Sequence, residues 1–360
     1  MKPTQQLHEL GQSLWVDNIT RKMLDDGTIA RFIDEFSVTG LTSNPTIFDN
    51  AISSGDDYDE QISELRERGL EPEQLFFELA LTDLRRAAKL FEPIHERTDG
   101  VDGWVSLEVS PLLADDAAAT IEQVEDLHSR AECNIFIKIP GTEAGREAIE
   151  QSIFDGVPVN VTLLFSTDQY LAAADAYMRG LERRIDAGLS PDVPSVASLF
   201  ISRWDKAVMN EVPDELRDKL GIAVAKRTYR AYRELLDSER FHRLANEGAR
   251  PQRLLWASTG TKDPEASDVL YVEALAAPFT INTMPDKTLL AFADHGQVRE
   301  PLPPDGGDAD EVLAAFNEAG IDTDALAVRL QEEGKESFDK SWHELLDTIA
   351  SEGEKLVSAH

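Results

Sequence analysis

The sequence has a single cysteine, Cys133, so no internal disulfide can form, a usage that fits a reducing compartment. The ordinary role left to that thiol is a small hydrophobe buried beside a strand. Long apolar runs are also missing, and nothing approaches the roughly 20 residues needed to span a bilayer. The opening stretch, MKPTQQLHELGQSLW, has no apolar segment and no small-residue cleavage site, so no leader is predicted and a cytoplasmic protein is expected. Basic residues are scarce. The 35 Lys and Arg face 68 Asp and Glu, a net charge of −33 with a pI near 4.5. Such a surface repels phosphate backbones, which argues against nucleic acid as a partner and makes any local basic group conspicuous. The acids are spread along predicted helices rather than gathered in a tail. That pattern fits work in high salt, where screening relieves self-repulsion. Both nucleotide fingerprints, G-x-G-x-x-G after a strand and G-x-x-x-x-G-K-[ST], are absent. The histidines (His8, His95, His128, His242, His295, His343, His360) form no i, i+4 pair and have no metal-site spacing with cysteine. No metal and no cofactor is expected.

What is present is alternation. The 42% apolar content is ample for one sizeable core. Short β-rich runs are predicted at 12–17, 37–44, 103–109, 134–139, 157–164, 195–201, 253–258 and 278–283. Helical patterns fall between them at 71–94, 115–131, 144–154, 167–187, 213–244 and 266–276. Strand–helix alternation with short connections implies a parallel sheet with helices outside. Eight strands favour closure into a (β/α)8 TIM barrel over an open doubly wound sheet. After the Pro/Gly-rich loop 301–307, the tail reads as more helix. One domain, 1–360, is therefore expected, with a core of about 12–300 and a helical extension at about 308–358.

Residues two apart in a strand share a face. In Asn134-Ile-Phe-Ile-Lys138-Ile139, the three isoleucines suit the helix-covered exterior, which turns Asn134, Phe136 and Lys138 inward. The alternative, a surface lysine on an edge strand, needs an edge that a closed barrel lacks. By the same parity Leu14 and Val16 oppose Trp15 and Asp17, and Val105, Leu107 and Val109 oppose Ser106 and Glu108. Val159, Val161 and Leu163 oppose Asn160 and Thr162, and Ala197 and Leu199 oppose Ser198 and Phe200. Thr42 and Asn44 share a face. Asp17, Asn44, Glu108, Lys138, Asn160, Thr162 and Ser198 should then converge on one mouth. So many inward polar groups destabilise a core unless they are paired or used. A structural polar network remains the alternative for any one of them.

A lysine with two carboxylates suits imine chemistry. The amine must be neutral to attack a ketone, a form that desolvation favours. The carboxylates can serve as general acid and base.

The residues at this point resemble the transaldolase family. Gly40-Leu-Thr-Ser-Asn-Pro-Thr46 is similar to that family's first signature, and Ile135-Phe-Ile-Lys138-Ile-Pro-Gly-Thr142 to the second, around its Schiff-base lysine. Val105-Ser-Leu-Glu108-Val and Asn160-Val-Thr162-Leu-Leu-Phe-Ser166 also resemble strands of that family, and the likeness runs from about 14 to about 283. It implies that Lys138 forms an imine with a ketose C2 carbonyl and that Asp17 takes the C4 hydroxyl proton. Glu108, with Thr162 positioning a water, would shuttle protons. Asn44 and Asn160 would bind the dihydroxyacetone hydroxyls, and Thr42 would line the pocket. Ser198 and Arg203 match the phosphate-binding serine and arginine. A second arginine common after the seventh strand is replaced here by Ser258 and Lys262. The implied reaction moves dihydroxyacetone from sedoheptulose 7-phosphate to glyceraldehyde 3-phosphate, giving erythrose 4-phosphate and fructose 6-phosphate, in the non-oxidative pentose phosphate pathway. Sugar phosphates are the implied partners, with no nucleic acid and no membrane, and the chain is expected as monomer or homodimer. The alternative within the resemblance is a fructose 6-phosphate aldolase, whose members generally carry glutamine at position 108 and tyrosine at 200. Glu108 and Phe200 favour the transferase. A non-catalytic sugar-phosphate-binding barrel would be expected to lose the lysine or a carboxylate, and neither is lost.

Overall fold

The computed structural model describes residues 1–132 and 134–358, so Cys133 lies outside the described residues. Eight strands form: β1 (Ser13–Val16), β2 (Val38–Thr42), β3 (Val105–Glu108), β4 (Ile135–Pro140), β5 (Val159–Leu164), β6 (Ser195–Phe200), β7 (Gln252–Ala257) and β8 (Ile281–Met284). They pair in parallel in chain order, and β8 returns to β1, closing a (β/α)8 barrel as expected from the alternation. Among the described residues no helix is long and apolar enough to cross a membrane.

Inward and outward parity separates two apolar layers. Ile135, Ile137, Val159, Val161, Ala197 and Leu199 pack between strands and helices. Trp15, Phe136, Val196, Leu255 and Ile281 point inward and, joined by Trp104, fill the interior. Trp104 stacks on Phe136 at 4.1 Å, and each such ring buries roughly 150–250 Å² of surface. The floor of the mouth is therefore solid. Gly40 on β2 is required by this filling, because a Cβ there would lie 2.6 Å from both the Trp104 carbonyl and the Trp15 ring.

The parity fails at the end of β5. Leu163 was expected to face outward with Val159 and Val161, but it takes φ 58° and joins the inner cluster, while Leu164 takes the outward place. The β5–β6 register shifts between Val161 and Leu164, so one extra residue reverses the alternation at the strand's end. The single helix expected at 213–244 is also divided, into Leu220–Leu236 and Glu239–Asn246. Ser238 caps the second piece by accepting from Phe241 N, which turns a continuous periodicity into two helices. The helix expected at 266–276 is confined to Leu270–Ala274. The tail is helical, as Ala309–Glu318 and a long C-terminal helix, Thr323–Ser358, that packs against Pro45–Ser53, Asp59–Glu67 and Pro72–Arg97.

Candidate active site

The C-terminal ends of the strands surround a cavity of about 130 Å³. Its walls include Asp17, Thr42, Asn44, Lys138, Thr162, Ser198, Phe200, Arg203, Ser258 and Lys262. Of the twelve residues singled out in the sequence, only Glu108 and Asn160 are absent from this wall. Both sit directly behind it.

Register explains the first contact. Glu108 on β3 is paired with Lys138 on β4, and Lys138 with Asn160 on β5. Lys138 Nζ donates to Glu108 Oε2 at 2.8 Å and to the Ser43 carbonyl at 3.0 Å. The lysine is 6% exposed and sees the outside only through the cavity. Across it, Thr42 donates to Asp17 Oδ1 at 2.6 Å and lies 2.7 Å from Thr283 Oγ1. Burial pushes both carboxyls above their usual range, against the hydrogen bond from Thr42 and the Lys138 charge at Asp17, and against the Lys138 charge and hydrogen bond at Glu108. Two carboxyls readier than usual to hold a proton therefore flank one amine, which is the equipment of acid–base exchange.

The polar shell is uneven in a telling way. Asn160, fully buried, donates to Ser106 Oγ at 3.1 Å and accepts from Ser198 Oγ at 2.7 Å, so it holds Ser198 rather than meeting the cavity. Asn44 uses Oδ1 to cap Pro45–Ser53 by accepting from Ile47 N at 3.1 Å, and Pro45 supplies the first helical residue. Its amide nitrogen remains for the cavity. Thr162 Oγ1 is buried on the cavity wall without a hydrogen-bond partner among the described residues. A buried hydroxyl of that kind is destabilising unless a water or ligand meets it.

At the other side of the cavity stand two cations. Arg203 and Lys262 have no hydrogen bond or ion pair among the described residues, although the chain carries a large excess of carboxylates. Burial is the first cause that lowers each pKa; the Lys287, Lys206 and Arg203 charges push Lys262 further down. Ser258 Oγ shares a 2.9 Å hydrogen bond with Ser202 Oγ, at φ 54°. Strain of this sort is found where a fixed geometry serves a site. Free cations gathered at a cavity amount to an anion-binding surface.

The sequence reading missed Thr283 and Phe338 on the wall, and the Ser43 carbonyl and Ser106 hydroxyl behind it. Thr283 on β8 has the inward parity of Ile281, a signal the strand pattern carried. Phe338 belongs to the C-terminal helix, and its periodicity says nothing about which part of a barrel it will meet. Among the described residues no group of three His, Cys, Asp or Glu side chains could hold a metal ion.

A closed (β/α)8 barrel with a buried amine between two carboxyls, and free cations across the cavity, is a barrel equipped for imine chemistry on anionic carbonyl compounds. The comparison with known proteins agrees, and the chain belongs to the family described as Transaldolase/Fructose-6-phosphate aldolase, which matches residues 14–349. It is 44% identical over 351 residues to a transaldolase of Saccharopolyspora erythraea, covering 95% of each chain. It is 44% identical over 358 residues to one of Thiobacillus denitrificans, covering 97% of this chain and 100% of the relative. A transaldolase of Thermobifida fusca is 43% identical over 360 residues, covering 97% and 98%. The chain is thus an enzyme of the transferase class.

Proposed function

We propose that the chain carries out the transaldolase reaction with Lys138 as its imine-forming amine, on sugar phosphates held by Arg203, Ser198, Ser258 and Lys262. The observation that carries this reading is the Lys138 Nζ at 2.8 Å from a carboxyl of raised pKa, facing a cavity that Asp17 also lines.

Lys138 Nζ attacks the C2 carbonyl of a ketose phosphate. Glu108, through a water placed by the unpartnered Thr162 hydroxyl, gives the proton with which the carbinolamine oxygen leaves as water. Asp17 then takes the C4 hydroxyl proton. The C3–C4 bonding pair flows toward the protonated imine, an aldose leaves, and a dihydroxyacetone enamine stays on Lys138. The enamine attacks an acceptor aldehyde, Asp17 returns its proton to the new alkoxide, and hydrolysis frees Lys138. Asn44 orients the three-carbon unit, and Asn160 fixes the Ser198 hydroxyl that faces the phosphate. Fructose 6-phosphate aldolase chemistry is the neighbouring reading within the family. The phenyl ring of Phe200 favours transfer, because it lines the cavity without a hydroxyl that could hold a hydrolytic water. A cytoplasmic setting fits the lone cysteine.

The test is a coupled assay with fructose 6-phosphate and erythrose 4-phosphate, in which glyceraldehyde 3-phosphate should appear at a rate that EDTA does not change. Release of free dihydroxyacetone at the same rate without the acceptor would turn the reading to aldolase.

A further inference from the structure

Arg203 poses a packing problem. A guanidinium that keeps its N–H groups free for an anion has none left with which to anchor itself. Here it finds no hydrogen-bond partner among the described residues, and Glu333 on the C-terminal helix acts on it only as a neighbouring charge. What it has are two ring contacts. The guanidinium carbon lies 5.3 Å from the Phe200 ring centroid and 5.8 Å from that of Phe338, and those rings stand 6.5 Å apart at 62°. Phe165 supports Phe200 from behind at 5.3 Å. Arginine suits such contacts, since its planar, weakly hydrated cation lies against aromatic faces while its edge stays available.

One of those rings comes from outside the barrel. Phe338 is 8% exposed and lies on Thr323–Ser358. That helix is tied to the mouth about two turns earlier, where Gln331 Nε2 donates to the Leu163 carbonyl at 2.9 Å, within the β5 irregularity. Between the two, Gly334 permits the close approach: a Cβ there would come 3.0 Å from Leu163 Cδ2 and 3.5 Å from Arg203 Nη1. Lys335 binds Asp115 at 2.8 Å and fixes the same stretch.

From this geometry we infer that the C-terminal helix builds the anion side of the site, with Phe338 as a positioning residue that holds Arg203 in place for the substrate phosphate. The inference rests on the phosphate role given to Arg203 above. Phe338 lines the cavity but has no polar group to offer the reacting atoms, so its effect runs through that guanidinium, and its removal should weaken binding of phosphate and leave imine formation standing.

Phe338→Leu keeps most of the apolar volume and removes the ring face. The full-length variant should show KM for fructose 6-phosphate raised about five- to tenfold, with a smaller change in kcat. Competitive inhibition by inorganic phosphate should weaken by the same factor, and Phe338→Tyr should restore both. In an Arg203→Ala background, Phe338→Leu should add nothing. Gly334→Ala, which leaves both rings in place and crowds Leu163 and Arg203, should also weaken phosphate inhibition, so the idea stays testable if the leucine variant folds poorly. A Phe338→Leu enzyme with wild-type phosphate inhibition, or one whose defect persists unchanged without Arg203, would overturn the inference. If Arg203→Ala itself leaves KM and phosphate inhibition unchanged, the fault lies instead with the phosphate assignment.

Discussion

The two ends of the barrel hold cavities of opposite character. The cavity at the N-terminal ends of the strands is the larger, about 520 Å³ against about 130 Å³, and is lined by Trp104, Phe136, Tyr232 and Phe279 among others. Its charges are all engaged. Asp102 accepts from Ser13, from Trp15 Nε1 at 2.9 Å and from Gly103 N at 3.1 Å. Arg253 donates to the Val101 carbonyl at 3.0 Å, to Ser13 Oγ at 2.7 Å and to the Thr280 carbonyl at 3.1 Å. Arg250 joins Asp99 and Asp192. The C-terminal mouth is four times smaller, yet there Arg203, Lys262 and Thr162 Oγ1 go without hydrogen-bond partners among the described residues, and two buried carboxyls have raised pKa values. Volume is a poor guide to the site. Cations without hydrogen-bond or ion-pair partners, set beside buried carboxyls of raised pKa, are the better one, because an unpaired charge at a buried site is costly to retain for folding alone.

The contrast can be broken by mutating each end. Lys138→Ala should give the largest effect, lowering kcat by about four orders of magnitude or more with the circular dichroism spectrum unchanged, since Lys262, the other amine at the cavity, lacks the contact with Glu108 that Lys138 makes. Asp102→Ala should do the reverse. Leaving Trp15 Nε1 buried without its acceptor, and the Ser13 hydroxyl without the carboxylate it donates to, should remove about 2 kcal/mol of stability in denaturant unfolding. Its kcat/KM, measured well below the melting temperature, should remain near that of the wild type. A catalytic defect without a stability defect at Asp102 would erase the distinction between the two ends.

Arg203→Ala comes next. The loss of a charge-assisted phosphate contact is worth about 1.5–3 kcal/mol, which should raise KM for fructose 6-phosphate about ten- to a hundredfold. Turnover of a non-phosphorylated ketose should be much less affected, and an equal penalty on both would make Arg203 structural. The smallest effect concerns pH. Asp17 must be ionised to take a proton and its pKa is raised by burial, so the acid limb of the kcat profile should lie above the ordinary carboxylate range near 4. The hydrogen bond from Thr42 opposes that rise. Thr42→Val should therefore move the limb further up, and a downward shift would contradict the assignment of Asp17 as base.

Much of this was legible in the sequence because barrel strands obey one simple rule. Alternation with period two sorts Ile135, Ile137 and Ile139 from Phe136 and Lys138, and by itself points seven polar residues toward one mouth. The rule broke at Leu163, where an irregular residue at positive φ cannot be read from hydrophobicity. It could not tell a residue on the wall from one behind it, so Asn160 and Ser198 looked equivalent, although one fixes the other. The C-terminal helix was visible as a helix. Its docking was not, since the fit of Gly334 and Phe338 over Arg203 depends on the shape of a mouth assembled from distant strands.

The central claim is that the buried amine at the smaller cavity does the chemistry. Borohydride reduction in the presence of fructose 6-phosphate, followed by peptide mass mapping, tests it most directly. The account predicts a dihydroxyacetone-derived mass on the peptide that carries Lys138 and on no other lysine. An adduct on Lys262 or elsewhere, or no adduct from an enzyme that still turns over, would contradict it.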